Sequence, residues 1–138
     1  MLSWNDYQKS DYIKSNSWLP EYDPSPSGWR VPTREEFLKL CDAGKVTSQW
    51  ITLNDVTGRK FTDRDTGNSI FLPAPGWRDS NSSPPYQVGM EGNYWSNTAE
   101  NSNSAYYFTV DRYSYDPSYR VGDTSSRDWG LSIRPVAK

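Results

Sequence analysis

The chain has 138 residues, enough for one domain or one domain with a short arm, and too few for a second core of ordinary size. It has no histidine and one cysteine, Cys41, which excludes Ser-His-Asp and Cys-His catalytic sets, imidazole metal sites, an internal disulfide and multi-cysteine zinc or iron–sulfur sites. With 15 basic residues against 17 acidic ones and no basic run, a nucleic-acid partner is not expected, and a core for a chain only 34% apolar but 15% aromatic has to be built from large rings.

The first 22 residues carry Trp4, Tyr7, Tyr12, Trp18 and Tyr22 with no sustained period. They read as an arm over 1–22, with one short helix near Asp6 to Lys14, laid by its rings on a domain over 23–138. Asp23-Pro24-Ser25-Pro26-Ser27-Gly28 is turn chemistry. Thr33-Arg34-Glu35-Glu36 then forms a capping box, and Phe37, Leu38, Leu40 and Cys41 follow at helical spacing up to Gly44. This predicts a helix from about 33 to 43. Gln49 to Leu53 reads as a strand, Asn54 to Gly58 as a turn, and Arg59 to Thr62 with Ser69 to Leu72 as a hairpin around Asp65-Thr66-Gly67-Asn68. A long polar loop is expected from Arg78 to Gly92. Three strands follow, at Tyr94 to Ser96, at Ala105 to Val110 and at Trp129 to Val136. Alternation in the second puts Tyr106, Phe108 and Val110 on one face and Ala105, Tyr107 and Thr109 on the other. One helix, several short antiparallel strands and long irregular loops make an α+β domain. No apolar stretch is long enough to span a membrane and no leader pattern opens the chain. A soluble domain without membrane contact of its own is expected, reaching an extracellular setting as part of a larger or exported protein.

Three segments carry a family likeness: "DPSPSGWRVPTREEFLKL" from Asp23 to Leu40, "FLPAPGWR" from Phe71 to Arg78, and "GNYWSNT", "AYYFTVD" and "WGLSIRPV" between Gly92 and Val136. Together they resemble the Fibrobacter succinogenes major paralogous domain, widespread in Bacteroidetes. The resemblance implies a C-type-lectin-like fold, shared with formylglycine-generating enzymes and with the variable proteins of diversity-generating retroelements, among them phage tropism determinants. That family often has cysteines where this chain has Ser25 and Pro135. The implied bridge between the ends is then absent, and terminal strand pairing has to replace it at a cost of about 2–4 kcal/mol.

From Asp79 to Asp128 about half the residues are Asn, Ser, Asp or Tyr. Tyrosine supplies rigid amphipathic contact area while Ser and Asn supply adaptable hydrogen bonds, so the region reads as a recognition surface. Adenine-directed mutagenesis produces the same residue types. The resemblance to retroelement variable proteins places ligand contacts at Asp79, Asn81, Tyr86, Asn97, Asn101, Asn103, Tyr107, Tyr113, Tyr115, Tyr119, Arg127 and Asp128, to which Trp129 is added from its polar loop. The expected partner is a protein or glycan on a cell surface, at a bacterial surface or on a phage virion. Multivalent display, as a homo-oligomer or array, would compensate a modest affinity per domain.

Trp29, Trp77, Trp95 and Trp129 each lie in or beside a motif, as sugar-stacking platforms or as core; Trp29 and Trp95 are assigned to the core, and Trp77 is left open. Asp63 to Asn68 resembles the opening of a calcium loop but has Ala74 where an EF-hand needs Glu, so a hairpin turn is expected. Trp4-Asn5-Asp6 lies at the wrong end for a calcium-dependent sugar site. No metal or other cofactor is expected. Formylglycine-type copper chemistry would need paired cysteines, and Cys41 stands alone on the apolar helix face. The paired carboxylates Glu91 with Glu100 and Asp111 with Asp116 are weak candidates, so a binding module without catalytic residues is expected. Arg30, Arg78 and Arg134 are expected to brace loop carbonyls.

Overall fold

Glu36 closes the capping box that its spacing from Thr33 requires. In the computed structural model, which describes residues 17–81, 84–113, 121 and 124–138, Thr33 Oγ1 accepts from the Glu36 amide at 3.2 Å and Glu36 Oε2 accepts from the Thr33 amide at 2.9 Å. The helix so started, α1, spans Arg34–Leu40. It stops short of residue 43 because Asp42 diverts the backbone. The Asp42 carbonyl accepts from the amides of Lys45 and Val46, and its carboxylate accepts from the Gly44 amide at 3.0 Å. Gly44 is therefore not a left-handed helix stop; the acidic side chain makes the turn. Phe37 is buried, whereas Leu38 is exposed despite its place in the apolar run.

The strands are β1 Trp29–Arg30, β2 Val46–Leu53, β3 Val56–Asp63, β4 Ser69–Pro73, β5 Glu91–Ala99, β6 Ser104–Asp111, β7 Thr124–Ser126 and β8 Val136–Ala137. They form antiparallel sheets ordered β2-β3-β4, β5-β6-β7 and β1-β8. With one short helix among the described residues, this is the expected α+β architecture. The β2–β3 turn is tighter than expected: Asn54 and Asp55, at φ 48° and 65°, make it alone, and Val56 to Gly58 already belong to β3. The β3–β4 hairpin turns at Asp65 to Asn68 as expected. The Asp63 carboxylate accepts from the amides of Asp65 and Thr66, and these bonds hold its pKa below the ordinary range.

The β5–β6 ladder carries the core on both faces. Tyr94 stands opposite Phe108 and Trp95 opposite Tyr107, so alternate residues point to opposite sides. On one side Tyr94, Phe108 and Val110 join Phe37, Cys41, Phe61 and Leu72. Phe108 stacks on Phe37 at 4.8 Å between ring centroids and lies 6.0 Å from Phe61. On the other side Trp95 and Ala105 join Trp18, Val31 and Leu131. The face division expected for Ala105 to Val110 therefore holds, with both faces covered. Trp18 secures the chain before β1: its amide donates to the Asn97 carbonyl and its indole N–H to the Tyr22 carbonyl. The helix expected near Asp6 to Lys14 lies outside the described residues.

Two further expectations fail. Trp29 is 47% exposed and not core; in the short β1–β8 ribbon it faces outwards, while Val31 two residues on is the buried side chain. Residues 129–136 are no continuous strand. Gly130 pairs with Arg78 and Ser132 with Tyr94, and pairing with β1 begins only at Val136. The segment is shared among three neighbours, so no single ladder extends. β1 with β8, and the Lys138 amide donating to the Gly28 carbonyl at 3.0 Å, bring the two ends of the domain together.

Arg30 of β1 grips Glu36 through both guanidinium nitrogens, at 2.5 and 2.8 Å. Those hydrogen bonds hold the Glu36 pKa at about 2, against 4.5 ordinarily. The lowered pKa means the contribution is complete above about pH 4.5 and is lost as the pH falls towards 2. In denaturant titrations across that window, the stability advantage over Glu36→Gln is expected to shrink with acidification; a constant difference would contradict the ion pair's role. Phe108→Ala, which empties the centre of one core, is expected to cost about 3–5 kcal/mol in the same measurement.

Candidate functional site

Local backbone geometry assembles an aromatic cluster beside β5. At Gly76 φ is +73°, and a Cβ there would run into the Tyr86 carbonyl oxygen, so only glycine lets the chain pass. Beyond it, Trp77 exchanges backbone hydrogen bonds with Tyr86 at 3.1 and 2.8 Å, and Arg78 exchanges two with Gly130 at 2.9 Å. The supposed loop from Arg78 to Gly92 is thus partly tied down, and the residue after Trp129 is drawn to the residue after Trp77. The two indoles stack at 4.8 Å with 4° between their planes. Tyr86 lies 4.8 Å from Trp77 on a 34° tilt.

Beside this stack is a cavity of about 180 Å³ walled by Trp77, Tyr107, Trp129 and Leu131, with Gln87, Glu91, Asn93 and Ser125 supplying polar groups. Alternation accounts for the wall and floor. Glu91, Asn93 and Trp95 share one face of β5, and Tyr107 and Thr109 oppose Trp95 and Asn93 from β6. That face runs from apolar at Ala105 to polar at Asp111, and the cavity sits where the character changes. Thr109 Oγ1 donates to Asn93 Oδ1 at 2.7 Å, and Asn93 Nδ2 donates to Glu91 Oε1 at 2.6 Å. This chain fixes the carboxylate in place. On the opposite face, burial pushes the Tyr94 phenol up above its ordinary pKa, and Tyr94 donates to the Pro73 carbonyl at 2.6 Å, so it acts as a structural strut.

Of the residues expected to contact a ligand, Tyr107 and Trp129 line this cavity, and Tyr86 borders it through Trp77. Tyr86 Oη donates to Asp79 Oδ2 at 3.1 Å, and Asp79 Oδ1 accepts from the Asn81 amide at 2.9 Å, which ties these three together. Asn101 and Asn103 build the β5–β6 turn: Asn101 Oδ1 accepts from the amides of Asn103 and Ser104. Asp128 is exposed and accepts from Ser126 Oγ. Three residues depart from the expected face. Arg127 is 1% exposed and donates to the Asn101 carbonyl, so it is a loop brace and cannot reach a ligand. Asn97 lies at the far end of β5, in a separate cavity with Trp18 and Arg30. Tyr113 is exposed, but its contacts run to Arg59 and Arg112. Tyr115 and Tyr119 lie outside the described residues.

Gln87, Glu91 and Asn93 line the cavity without being among the expected contacts, and the structure assigns Trp77 to its wall. Glu91 does not pair with Glu100, which sits just beyond the other end of β5; the residue opposite Glu91 is Asp111. Asp116 lies outside the described residues. Period-two alternation from Trp95 back to Asn93 and Glu91 was the available signal. A larger cavity of about 290 Å³, between α1 and the β2–β4 sheet, is lined by Leu40, Val46, Phe61 and Ile70. Its acidic group, Asp63, is already engaged by turn amides.

The fold and site define a β-rich α+β domain with an aromatic-walled cavity at one edge of a two-faced sheet. The chain belongs to DUF8237, a domain of unknown function, whose family model matches residues 41–136. That span contains every residue lining the cavity, while Trp18, Val31 and Phe37 before it complete the two cores. No curated protein and no solved structure matches the chain.

Closely stacked indoles couple their transitions, so an exciton couplet is expected in the far-ultraviolet circular dichroism spectrum. Trp129→Phe should abolish it at a stability cost of about 0.5–1.5 kcal/mol. Gly76→Ala should cost about 1–3 kcal/mol and weaken the couplet, because the ribbon at Trp77 and Tyr86 has to open.

Proposed function

We propose that the chain is a non-enzymatic ligand-binding module with a C-type-lectin-like fold, presented outside the cell on a bacterial surface protein or a phage virion. The observation that carries this reading is the cavity walled by Trp77, Tyr107 and Trp129 over the braced Glu91–Asn93 pair. Concave, mostly apolar sites with a few convergent polar groups are where small ligands bind. Exposed Tyr86 and the Asp79–Asn81 turn extend the contact area beyond the rim.

The lectin-like assignment is supported by the quoted motifs and by the β1–β8 pairing of the domain's ends. A non-catalytic role is favoured by the buried position of Cys41 among Phe37, Phe61 and Leu72, which keeps the lone thiol from substrate. No helix among the described residues is long and apolar enough to cross a membrane. Retroelement diversification suits the exposed Asn81, Tyr86, Asn101, Asn103 and Asp128, whose side chains stand on turns and strand ends where replacement spares the ladders. A template repeat and a reverse-transcriptase gene beside the coding region would support it. The stacked indoles favour a second reading, a carbohydrate-binding surface domain, since flat aromatic faces pack on sugar rings.

The test is retention of host-cell and bacterial surface extracts on the immobilised domain, alongside a glycan array. Replacing Tyr107 and Trp129 together by Ala is expected to lower retention roughly thirtyfold, the size of a central hot spot. Unchanged retention by a folded double variant would remove the cavity from the binding face.

A further inference from the structure

We infer that the cavity accepts a compact organic cation of the trimethylammonium type, a ligand class for the binding face proposed above and resting on that reading. Charge comes first. Among the described residues Glu91 is the charged group that lines the cavity, and no Lys or Arg lines it. The Glu91 carboxylate attracts a cation placed between the aromatic walls and repels an anion.

Hydrogen-bonding capacity separates a cation from a neutral sugar. Asn93 is spent on Thr109 and Glu91, and Glu91 Oε1 on Asn93. Glu91 Oε2 has no hydrogen-bond partner among the described residues, and Gln87 is the other polar side chain at the mouth long enough to reach inward. A pyranose ring, with hydroxyls around its whole rim, would leave most of them unpaired and would desolvate the carboxylate without neutralising it. A methylated ammonium needs no hydrogen bonds. It needs ring faces and one negative charge, as in aromatic cages. Trp77 is the shared neighbour of Tyr86 and Trp129, and Tyr107 meets Trp95 edge-on at 6.4 Å, so Trp129 is the wall ring with a second face to offer. The volume of about 180 Å³ suits a headgroup and falls below the roughly 300–1,000 Å³ typical of drug-sized ligands.

The experiment titrates the whole chain with choline chloride, followed by tryptophan fluorescence and proton NMR. In parallel run 3,3-dimethylbutanol, in which carbon replaces the charged nitrogen, and methyl glucoside. Choline is expected to bind about tenfold more tightly than the neutral isostere. Glu91→Gln, of the same shape, should lose about that factor while keeping its thermal midpoint, and Trp129→Leu should lose more. Phosphatidylcholine vesicles distinguish a lipid headgroup from a free cation: sedimentation with vesicles, competed by choline, identifies the membrane source, and choline binding without sedimentation the soluble one. Equal binding of choline and dimethylbutanol, glucoside binding in place of choline, or indifference to Glu91→Gln each overturns the assignment. Should choline fail while Tyr107 and Trp129 still govern retention of surface extracts, the cation falls and the binding face stands.

Discussion

A chain with few aliphatic residues has to build its core from large rings, and here that constraint is met by placing one ladder between two cores. β5 and β6 alternate Tyr94 with Trp95 and Phe108 with Tyr107, so every second ring serves a different cluster. Helix α1 and the β2–β4 sheet cover one face, while Trp18, Val31 and Leu131 cover the other. Because apolar burial is the main favourable term in folding, the remaining elements are placed by what they contribute to these two faces. The short β1, which grips Glu36 through Arg30 and leads into buried Val31, is an instance.

Irregular backbone is the complementary cost, and buried guanidinium groups meet it. Arg59, 6% exposed, donates to the carbonyls of Asp111 and Tyr113 and to Ser48 Oγ. Arg127 holds the Asn101 carbonyl, and Arg34 holds that of Val121 while lying 4.6 Å from the Tyr106 ring. A planar fork that satisfies several carbonyls at once replaces hydrogen bonds that regular structure would have made. Bracing of this kind was expected, but from Arg30, Arg78 and Arg134. Arg30 reaches the Val31 carbonyl at 3.4 Å but is held mainly by the Glu36 carboxylate, and the other two are exposed. The main braces are other arginines than those expected, because which arginine turns inward depends on the depth of its strand.

The cavity lies where the second face of the ladder gives way from rings to polar side chains, at the edge crossed by residues 76–78 and 130–132. The floor of Glu91, Asn93 and Tyr107 therefore rests on β5 and β6, and the Trp77 and Trp129 walls on segments bridged beside them, while the side chains of Tyr86, Asp79 and Asn81 stand outside both cores. A site so arranged separates the support from the surface that meets a partner.

The amino-acid sequence by itself determined the local features: the capping box at Thr33 and Glu36, the Asp65 to Asn68 hairpin, the alternation in β6 and the ring-built core. Each depends on residues within a few positions of one another, so periodicity and turn chemistry suffice to reveal it. The cavity was half legible. Tyr107 and Trp129 stood out as aromatic residues in a polar region, but Glu91 and Asn93 look like ordinary surface groups until β6 is laid against β5. Likewise, Trp29 and Trp77 occupy similar Gly-Trp-Arg contexts, yet one is exposed on a two-residue ribbon and the other lies in a ring stack. Only the tertiary structure decided between them, since burial of a ring depends on which distant segment faces it, and no local pattern encodes that partner.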